Sequence, residues 1–260
     1  MREITHPTGK VCRACVVVLV LTVLTQLGGL VWLASRFMRW QLVAFVFLYA
    51  AVWIAVQVSA PLTGRVALPC FGAPLRAQSP VYCALMRNFV TPELRAVANT
   101  AAERMAVEYP GTVTLALDGG FPFVTGFPLL PHLSHDDGQK LDLAFSYAGA
   151  DGYAPGRTRS PLGYFAFEAL DAEETCPPVT LTLRWRLDGL QAWFGKDRLD
   201  EQRTAALVKL LLADTRVGRV FLEPALVGRL GLADPKLRFQ GCRAARHDDH
   251  IHLQLQDAEG

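Results

Sequence analysis

The chain has 260 residues, of which 51% are hydrophobic and only 19% are charged, against roughly 25% charged in an average soluble domain. This composition excludes an intrinsically disordered protein, which needs low hydrophobicity and high net charge. With a mean hydropathy of +0.22, it indicates that part of the chain lies in lipid. The formal net charge of +2 excludes the strong electrostatic footprint of a nucleic-acid-binding protein.

Two long uncharged runs open the chain. No residue is charged between Arg13 and Arg36, or between Arg39 and Arg65. Each run is long enough for a helix to cross a bilayer core of about 30 Å, which takes roughly 20 residues. The short basic and aromatic link between the runs predicts a transmembrane hairpin.

We therefore predict a membrane hairpin over residues 1–64, with helices at about 14–34 and 41–60, followed by a separate domain over residues 65–260. A cleaved signal peptide is the alternative for the first run. That run exceeds the usual apolar core of about 7–15 residues in a signal peptide, and a second run follows directly.

Charge counting leaves the topology of this hairpin open. A hairpin places the N-terminus and the following domain on the same side of the membrane. Arg2, Lys10 and Arg13 flank the first span, Arg36 and Arg39 lie in the loop, and Arg65 and Arg76 follow the second span. Because basic residues stand on both sides, we do not use the positive-inside rule to choose the orientation.

Six cysteines divide into two groups. Cys12 and Cys15 lie at the membrane edge, and we interpret this lone C-x-x-C as interfacial or acylated thiols rather than a metal or redox site. The other four favour two disulfides in an oxidising compartment. Four cysteines allow three pairings, of which we predict Cys70–Cys83 with Cys176–Cys242.

The patterned segments after residue 61 predict an α+β domain. Thr91 and Pro92 are typical of a helix start, and this helix should continue to about residue 107. Further helices are predicted at 201–213 and 224–230, and strands at 112–117, 140–148, 179–187, 217–222 and 251–255. Because these elements do not alternate strictly as βαβ units, we expect a small mixed or antiparallel sheet with flanking helices.

Five of the six histidines fall into two short clusters, at residues 132–135 and 247–252. Side chains alternate along a strand, so a strand at 251–255 places His250 and His252 on the face opposite the apolar residues. His247, in the preceding loop, can curl over that face. A strand beginning near residue 141 likewise separates Asp142 from its apolar neighbours, and His135 can fold back beside it.

Two imidazoles and one carboxylate, with water in the fourth position, form a donor set of catalytic zinc sites. Neither cluster contains the cysteines that closed structural zinc sites tend to use. The clusters therefore predict a catalytic rather than a structural zinc site.

The spacing of these residues resembles the signature of a known enzyme family. His135, six intervening residues, Asp142 and a distant His250-x-His252 are similar to the motif of the LAS-type zinc peptidases. These comprise D-Ala-D-Ala carboxypeptidases and dipeptidases and the penicillin-insensitive murein endopeptidases. The form His247-x-x-His250-x-His252 is most similar to the murein endopeptidases. The resemblance covers roughly residues 92–255.

The resemblance implies that His135, Asp142 and His252 bind one Zn²⁺ and that His250 is the general base. His247 would orient that base or stabilise the oxyanion, and His132 would support the site. The implied enzyme is a membrane-anchored metallopeptidase that cuts a peptide bond next to a D-amino acid in peptidoglycan cross-links, by attack of zinc-bound hydroxide. Its substrate predicts a bacterial inner-membrane protein with the catalytic domain in the periplasm.

Other functions stay open from the sequence. The same fold can serve as a non-catalytic peptidoglycan- or partner-binding module, or as a zinc amidohydrolase or D,D-carboxypeptidase of different substrate. We predict that Asp118-Gly119-Gly120 forms a turn rather than a phosphate cradle. We also predict that Trp185, Trp193 and Phe194 belong to the core or its cover, with the lining of a substrate groove as the alternative. The acidic residues beside the histidines are predicted to be loop charges, one of which can orient a histidine (Asp136, Asp137, Asp248, Asp249).

Overall fold

The computed structural model of the chain describes residues 7–169, 176, 180, 182–185 and 187–256, and it has the mixed α and β composition predicted from the sequence. Its helices are α1 Pro7–Thr25, α2 Gly28–Ser35, α3 Gln41–Ser59, α4 Pro80–Ala84, α5 Pro92–Glu108, α6 Glu201–Ala213 and α7 Pro224–Arg229. Its strands are β1 Val66–Ala67, β2 Leu75–Ala77, β3 Phe89–Val90, β4 Thr114–Ala116, β5 Lys140–Ala144, β6 Tyr147–Gly149, β7 Gly152–Tyr153, β8 Arg198–Leu199, β9 Val217–Phe221, β10 Leu237–Arg238 and β11 His250–Leu255.

A six-stranded sheet in the order β10-β9-β11-β5-β4-β2 forms the centre of the domain. β11 pairs antiparallel with both β5 and β9, and the outer pairs β10–β9 and β4–β2 are parallel. The apolar faces of α5 and α6 pack with this sheet in the main hydrophobic core. Two small sheets, β1-β3 and β7-β6-β8, lie outside it.

The two long domain helices begin at the residues that the sequence predicted. Thr91 Oγ1 accepts a hydrogen bond from Leu94 N (3.3 Å), and Asp200 Oδ1 accepts one from Arg203 N (3.0 Å). Each bond satisfies one of the backbone donors left free in a first helical turn. These caps and the apolar periodicity explain why α5 and α6 were the most accurately predicted elements.

Two predicted strands need correction. The segment 140–148 is two strands, β5 and β6, because the chain leaves the central sheet after Ala144 and enters the small sheet at Tyr147. The described residues of 179–187 contain no strand, and positions 179, 181 and 186 lie outside the described residues. Leu183 and Trp185 in this segment are about half exposed, so their alternation does not mark a buried sheet face.

The first apolar run is not one helix, contrary to our prediction for residues 14–34. α1 ends at Thr25, Gln26 adopts a left-handed backbone conformation with φ 66°, and α2 runs back along α1. The reversal requires close packing, since a Cβ on Gly29 would lie 2.0 Å from Thr22 Oγ1 and 2.6 Å from Val18 O. Sequence reasoning missed the signal, which is a polar glutamine followed by two glycines inside an apolar run.

Only one helix in the described part of the chain, Gln41–Thr63, is long and apolar enough to cross a membrane. α1 contributes a shorter apolar stretch, Val11–Thr25. α2 is antiparallel to α3 as well as to α1, and their contact includes an edge-on pair of the Trp32 and Phe45 rings, 5.5 Å apart. α1 and α3 therefore point in the same direction, and three helices with one candidate span replace the predicted two-span hairpin.

Both disulfides pair as predicted. Cys70 is bonded to Cys83 and Cys176 to Cys242, with Cα–Cα distances of 6.0 and 5.3 Å. Cys12 and Cys15 are free and exposed on α1. Two disulfides are consistent with an oxidising compartment.

Candidate metal centre

β5 and β11 bring the two predicted clusters together. The strands are neighbours, and their register places His252 directly opposite Asp142. Leu141 and Leu143 of β5, like Ile251 and Leu253 of β11, are buried in the main core. Alternation therefore directs Asp142, His250 and His252 to the opposite face of the sheet, as the sequence predicted.

His135 completes a tight cluster with two of these residues. Its Nε2 lies 3.1 Å from His252 Nδ1 and 3.3 Å from Asp142 Oδ1, and the last two atoms are 2.8 Å apart. All three side chains are buried. Ligand atoms around a tetrahedral zinc, each about 2.0–2.1 Å from the metal, lie about 3.3 Å from one another. The three side chains thus converge with the spacing that a metal ion requires.

The backbone fixes the tautomer of His135. Its Nδ1 lies 2.7 Å from the carbonyl oxygen of Gly119, which can only accept. Nδ1 therefore carries the proton, and the lone pair of the neutral ring is on Nε2, which points at Asp142 and His252. Metal-binding histidines characteristically donate their second N–H in this way.

His250 has one satisfied nitrogen and one free nitrogen. Its Nδ1 is hydrogen-bonded to Asp249, whose second oxygen accepts a bond from Phe165 N. Its Nε2 is buried, has no hydrogen-bond partner among the described residues, and lies 3.5 Å from Asp142 Oδ1. An unpaired buried nitrogen is costly, so its presence beside the cluster indicates a functional position.

The protein field separates the protonation states of the histidines. Burial lowers the pKa of His250, but the charges of Asp142 and Asp249 outweigh this effect and raise it to about 9. Burial dominates at His252, where the pKa falls to about 4 despite Asp142. Burial, together with His250 and His252, also lowers the pKa of His247 well below its usual value. At neutral pH His250 therefore carries a proton, whereas His247 and His252 are neutral imidazoles.

Sequence reasoning missed the residues that hold Asp142 from behind. The Tyr164 hydroxyl donates to Asp142 Oδ2 (2.8 Å) and accepts a bond from Asp118 N (3.1 Å). The Asp118 carboxylate binds Arg87 through two hydrogen bonds of 2.6 and 2.7 Å and lies 2.9 Å from His132 Nδ1. Burial raises the pKa of Asp118, but the hydrogen bonds from His132 and Arg87 outweigh it and lower that pKa to about 2.

Only part of this support had a signal in the sequence. Asp118 follows a predicted strand and precedes two glycines, the turn that we predicted, and Gly119 in that turn supplies the carbonyl that orients His135. Asp249 is the one of the four acidic loop residues that orients His250. Tyr164 lies in a loop without a regular pattern, so only the fold reveals its contact.

Three overlapping sets of side chains have ligand atoms close enough to hold a metal ion. The predicted set is His135, Asp142 and His252; the others are His132, Asp142 and His250, and His247, His250 and His252. The first set is favoured because the lone pair of His135 is fixed toward it and because both other sets need the nitrogen of His250.

An apolar groove lies beside His250. Four aromatic side chains form much of its wall (Tyr164, Phe165, Phe167 and Trp185). The other lining residues are Pro131, His132, Leu183, Ala245, Arg246, Asp249 and His250. Trp185 lines this groove, which was the alternative for it, and Trp193 is almost fully exposed, so neither tryptophan lies in the core. This groove lies next to the candidate metal centre, and its lining favours apolar groups of a ligand.

No protein-family model matches the chain, and no curated protein matches it. The resemblance to zinc peptidases therefore remains a prediction from the motifs.

Proposed function

We propose that this protein is a membrane-anchored zinc metallopeptidase that hydrolyses a peptide bond next to a D-amino acid in peptidoglycan cross-links. The convergence of His135, Asp142 and His252 within 2.8–3.3 Å of one another carries the proposal. That the free nitrogen of His250 lies next to this cluster favours an enzyme over a purely structural metal site or a binding module, neither of which needs a base.

The residues of the site divide the chemistry among them. His135, Asp142 and His252 would hold the metal, and zinc, when bound, supplies Lewis acidity that polarises the substrate carbonyl and acidifies water. A cation held by Asp142 would offset the negative charge that raises the pKa of His250. The neutral Nε2 would then take the proton of a water molecule and return it to the leaving amine. Asp249 keeps the His250 ring in place through Nδ1. His247 offers a neutral imidazole, whose ring centre is 5.0 Å from that of His250, to orient the base or stabilise the oxyanion.

The direction of the helices supports a periplasmic location for the domain. Because α1 and α3 point the same way, Lys10 and Arg13 of α1 lie at the same end as Arg36 and Arg39, away from the sheet. The positive-inside rule then places that end in the cytoplasm, a choice that the predicted hairpin left open. The two disulfides favour the same side for the domain, in the bacterial inner membrane.

Mass spectrometry of cross-linked muropeptides tests the activity. The full-length zinc-loaded protein should convert dimers to monomers. We expect His250→Ala to bind zinc but to lose conversion by at least about 100-fold, the lower limit for a general base. His252→Ala should lose both zinc and conversion. An active His250→Ala protein would contradict the assigned base, and zinc binding without conversion by the native protein would favour another amide substrate or a binding role.

A further inference from the structure

The segment that leads to the metal centre is unusually apolar. Between Asp118 and Asp136 no residue is charged, and residues 121–133, which we name the apolar loop, read Phe-Pro-Phe-Val-Thr-Gly-Phe-Pro-Leu-Leu-Pro-His-Leu. Val124, Leu130 and Leu133 in this loop expose about half of their side chains. Pro131 and His132 at its end form one wall of the groove. The metal centre is thus approached through an exposed apolar segment.

The apolar loop packs against the N-terminal helices. Phe123 lies in a cluster with Leu27, Trp53 and Val56, and its backbone N–H donates to Gln26 Oε1 (3.1 Å). Gln26 is the turn between α1 and α2. The loop therefore contacts the helices themselves, beyond the point where the chain leaves α3.

α4 makes the same kind of contact at the side of α3. Tyr49 Oη donates to the carbonyl of Ala84 (2.7 Å), and Trp53 Nε1 donates to that of Cys83 (2.8 Å). Tyr49 and Trp53 precede the end of α3 at Ser59 by ten and six residues, or about 15 and 9 Å along the axis. If α3 crosses the bilayer, both bonds lie below the membrane surface.

These hydrogen bonds have the pattern that a water-poor environment demands. Backbone groups in lipid must find partners within the protein, because no water is available to them. The last carbonyls of a helix have no partner within that helix. Here Tyr49 satisfies the carbonyl of Ala84, and Trp53 is a second donor to that of Cys83, which also accepts from Met86 N (3.0 Å). Gln26 satisfies an N–H of the apolar loop. Side chains on the membrane helices thus supply what water supplies at an aqueous surface.

We propose that the apolar loop lies in the interfacial region of the bilayer, so that the metal centre opens at the membrane surface and takes peptides presented there. The proposed occupant of the exposed Val124, Leu130 and Leu133 surface is lipid, because the loop is continuous with helices that we propose to be membrane-embedded. The inference rests on the proposed membrane anchoring by α3, and it does not depend on the metal or on catalysis.

Spin-label accessibility in nanodiscs of phosphatidylethanolamine and phosphatidylglycerol in equal amounts tests this proposal. The full chain, with Cys12→Ser and Cys15→Ser, carries a nitroxide at Val124→Cys, where the native side chain is 53% exposed. Phe47→Cys on α3, 72% exposed, is the lipid reference. Val107→Cys, 82% exposed, is the aqueous reference. Val107 lies at the end of α5 that is remote from the apolar loop. The other end, at Thr91, is about 25 Å away and near the loop, because Thr91 N donates a hydrogen bond to Gly138 O.

We expect labels at Phe47→Cys and Val124→Cys to be relaxed more by oxygen than by a water-soluble nickel chelate, and the label at Val107→Cys to show the reverse. A label at Leu133→Cys, at the other end of the loop, should agree with Val124→Cys and guards against a local disturbance by either label. Aqueous behaviour at both loop positions with a lipid signal at Phe47→Cys would overturn the proposal but leave the anchor intact. Aqueous behaviour at Phe47→Cys as well would overturn both.

Discussion

At the scale of single residues, the hydroxyl of Tyr164 shows how the site depends on groups outside the predicted ligand set. It donates to Asp142 Oδ2, while Asp142 Oδ1 faces His135 and His252. The Tyr164 hydroxyl thus holds one carboxylate oxygen, and the other faces the two histidines of the candidate metal site. Groups that orient ligands in this way typically change metal affinity by about 10- to 100-fold when removed.

We therefore expect Tyr164→Phe to weaken zinc binding by about 10- to 100-fold, measured by competition with a fluorescent zinc chelator. Tyr82→Phe is the matched control, because its buried side chain also donates a hydroxyl hydrogen bond, but to the carbonyl of Leu162. That variant should retain native zinc affinity. An equal loss of affinity in both variants would mean that Tyr164 acts only through general stability.

Residue patterns explain why the ligands were predictable and their supports were not. His250, His252 and Asp142 follow from strand alternation, since each stands between apolar residues that enter the core. Asp118, Arg87 and Tyr164 meet only because separate loops converge behind β5. Nothing in the local sequence ties these positions to one another.

At the scale of elements, the packing of α2 on α1 depends on glycine. A Cβ on Gly29 would overlap Thr22 Oγ1 and Val18 O, whereas a Cβ on Gly228 in α7 would have no neighbour within 4 Å. Both glycines lie in helices, where alanine is intrinsically favoured over glycine by about 1 kcal/mol. Alanine at Gly228 therefore tests helix propensity alone, whereas alanine at Gly29 also tests the packing of α2 on α1.

Gly29→Ala should lower the midpoint of thermal unfolding in detergent, followed by helical circular dichroism, because the added methyl group forces α1 and α2 apart. Gly228→Ala should leave that midpoint unchanged or raise it slightly. A rise for both variants would contradict the close approach of α1 and α2 around Gly29.

The accuracy of the element predictions follows from what each pattern measures. α5 and α6 combine an N-cap with apolar periodicity, two local signals that agree. The first apolar run had only length and hydrophobicity in favour of a single span, and these do not distinguish one helix from two that fold back on each other. The segment 179–187 had alternation alone, and its described side chains do not enter the core.

At the scale of the whole molecule, the parallel arrangement of α1 and α3 predicts the membrane topology. We expect Phe37→Cys, in the exposed loop between Arg36 and Arg39, to resist a membrane-impermeant maleimide in intact spheroplasts and to react after permeabilisation. Trp193→Cys, equally exposed in the domain, should react without permeabilisation. Both are made with Cys12→Ser and Cys15→Ser. The reverse pattern would place the domain in the cytoplasm and remove peptidoglycan as the substrate.

The sequence by itself predicted the α+β class and placed Asp142, His250 and His252 on one face of the sheet, because short-range periodicity carries that information. The motif resemblance supplied the ligand set His135, Asp142 and His252, and the four cysteines indicated two disulfides but left three pairings possible. Only the tertiary structure decided that these ligands converge within about 3 Å and that Tyr164 and Asp118 hold them. It also decided that α1 and α3 are parallel and that the apolar loop contacts the N-terminal helices. These features depend on contacts between residues far apart in the chain. A backbone reversal such as the one at Gln26 also changes the direction of every element before it relative to every element after it.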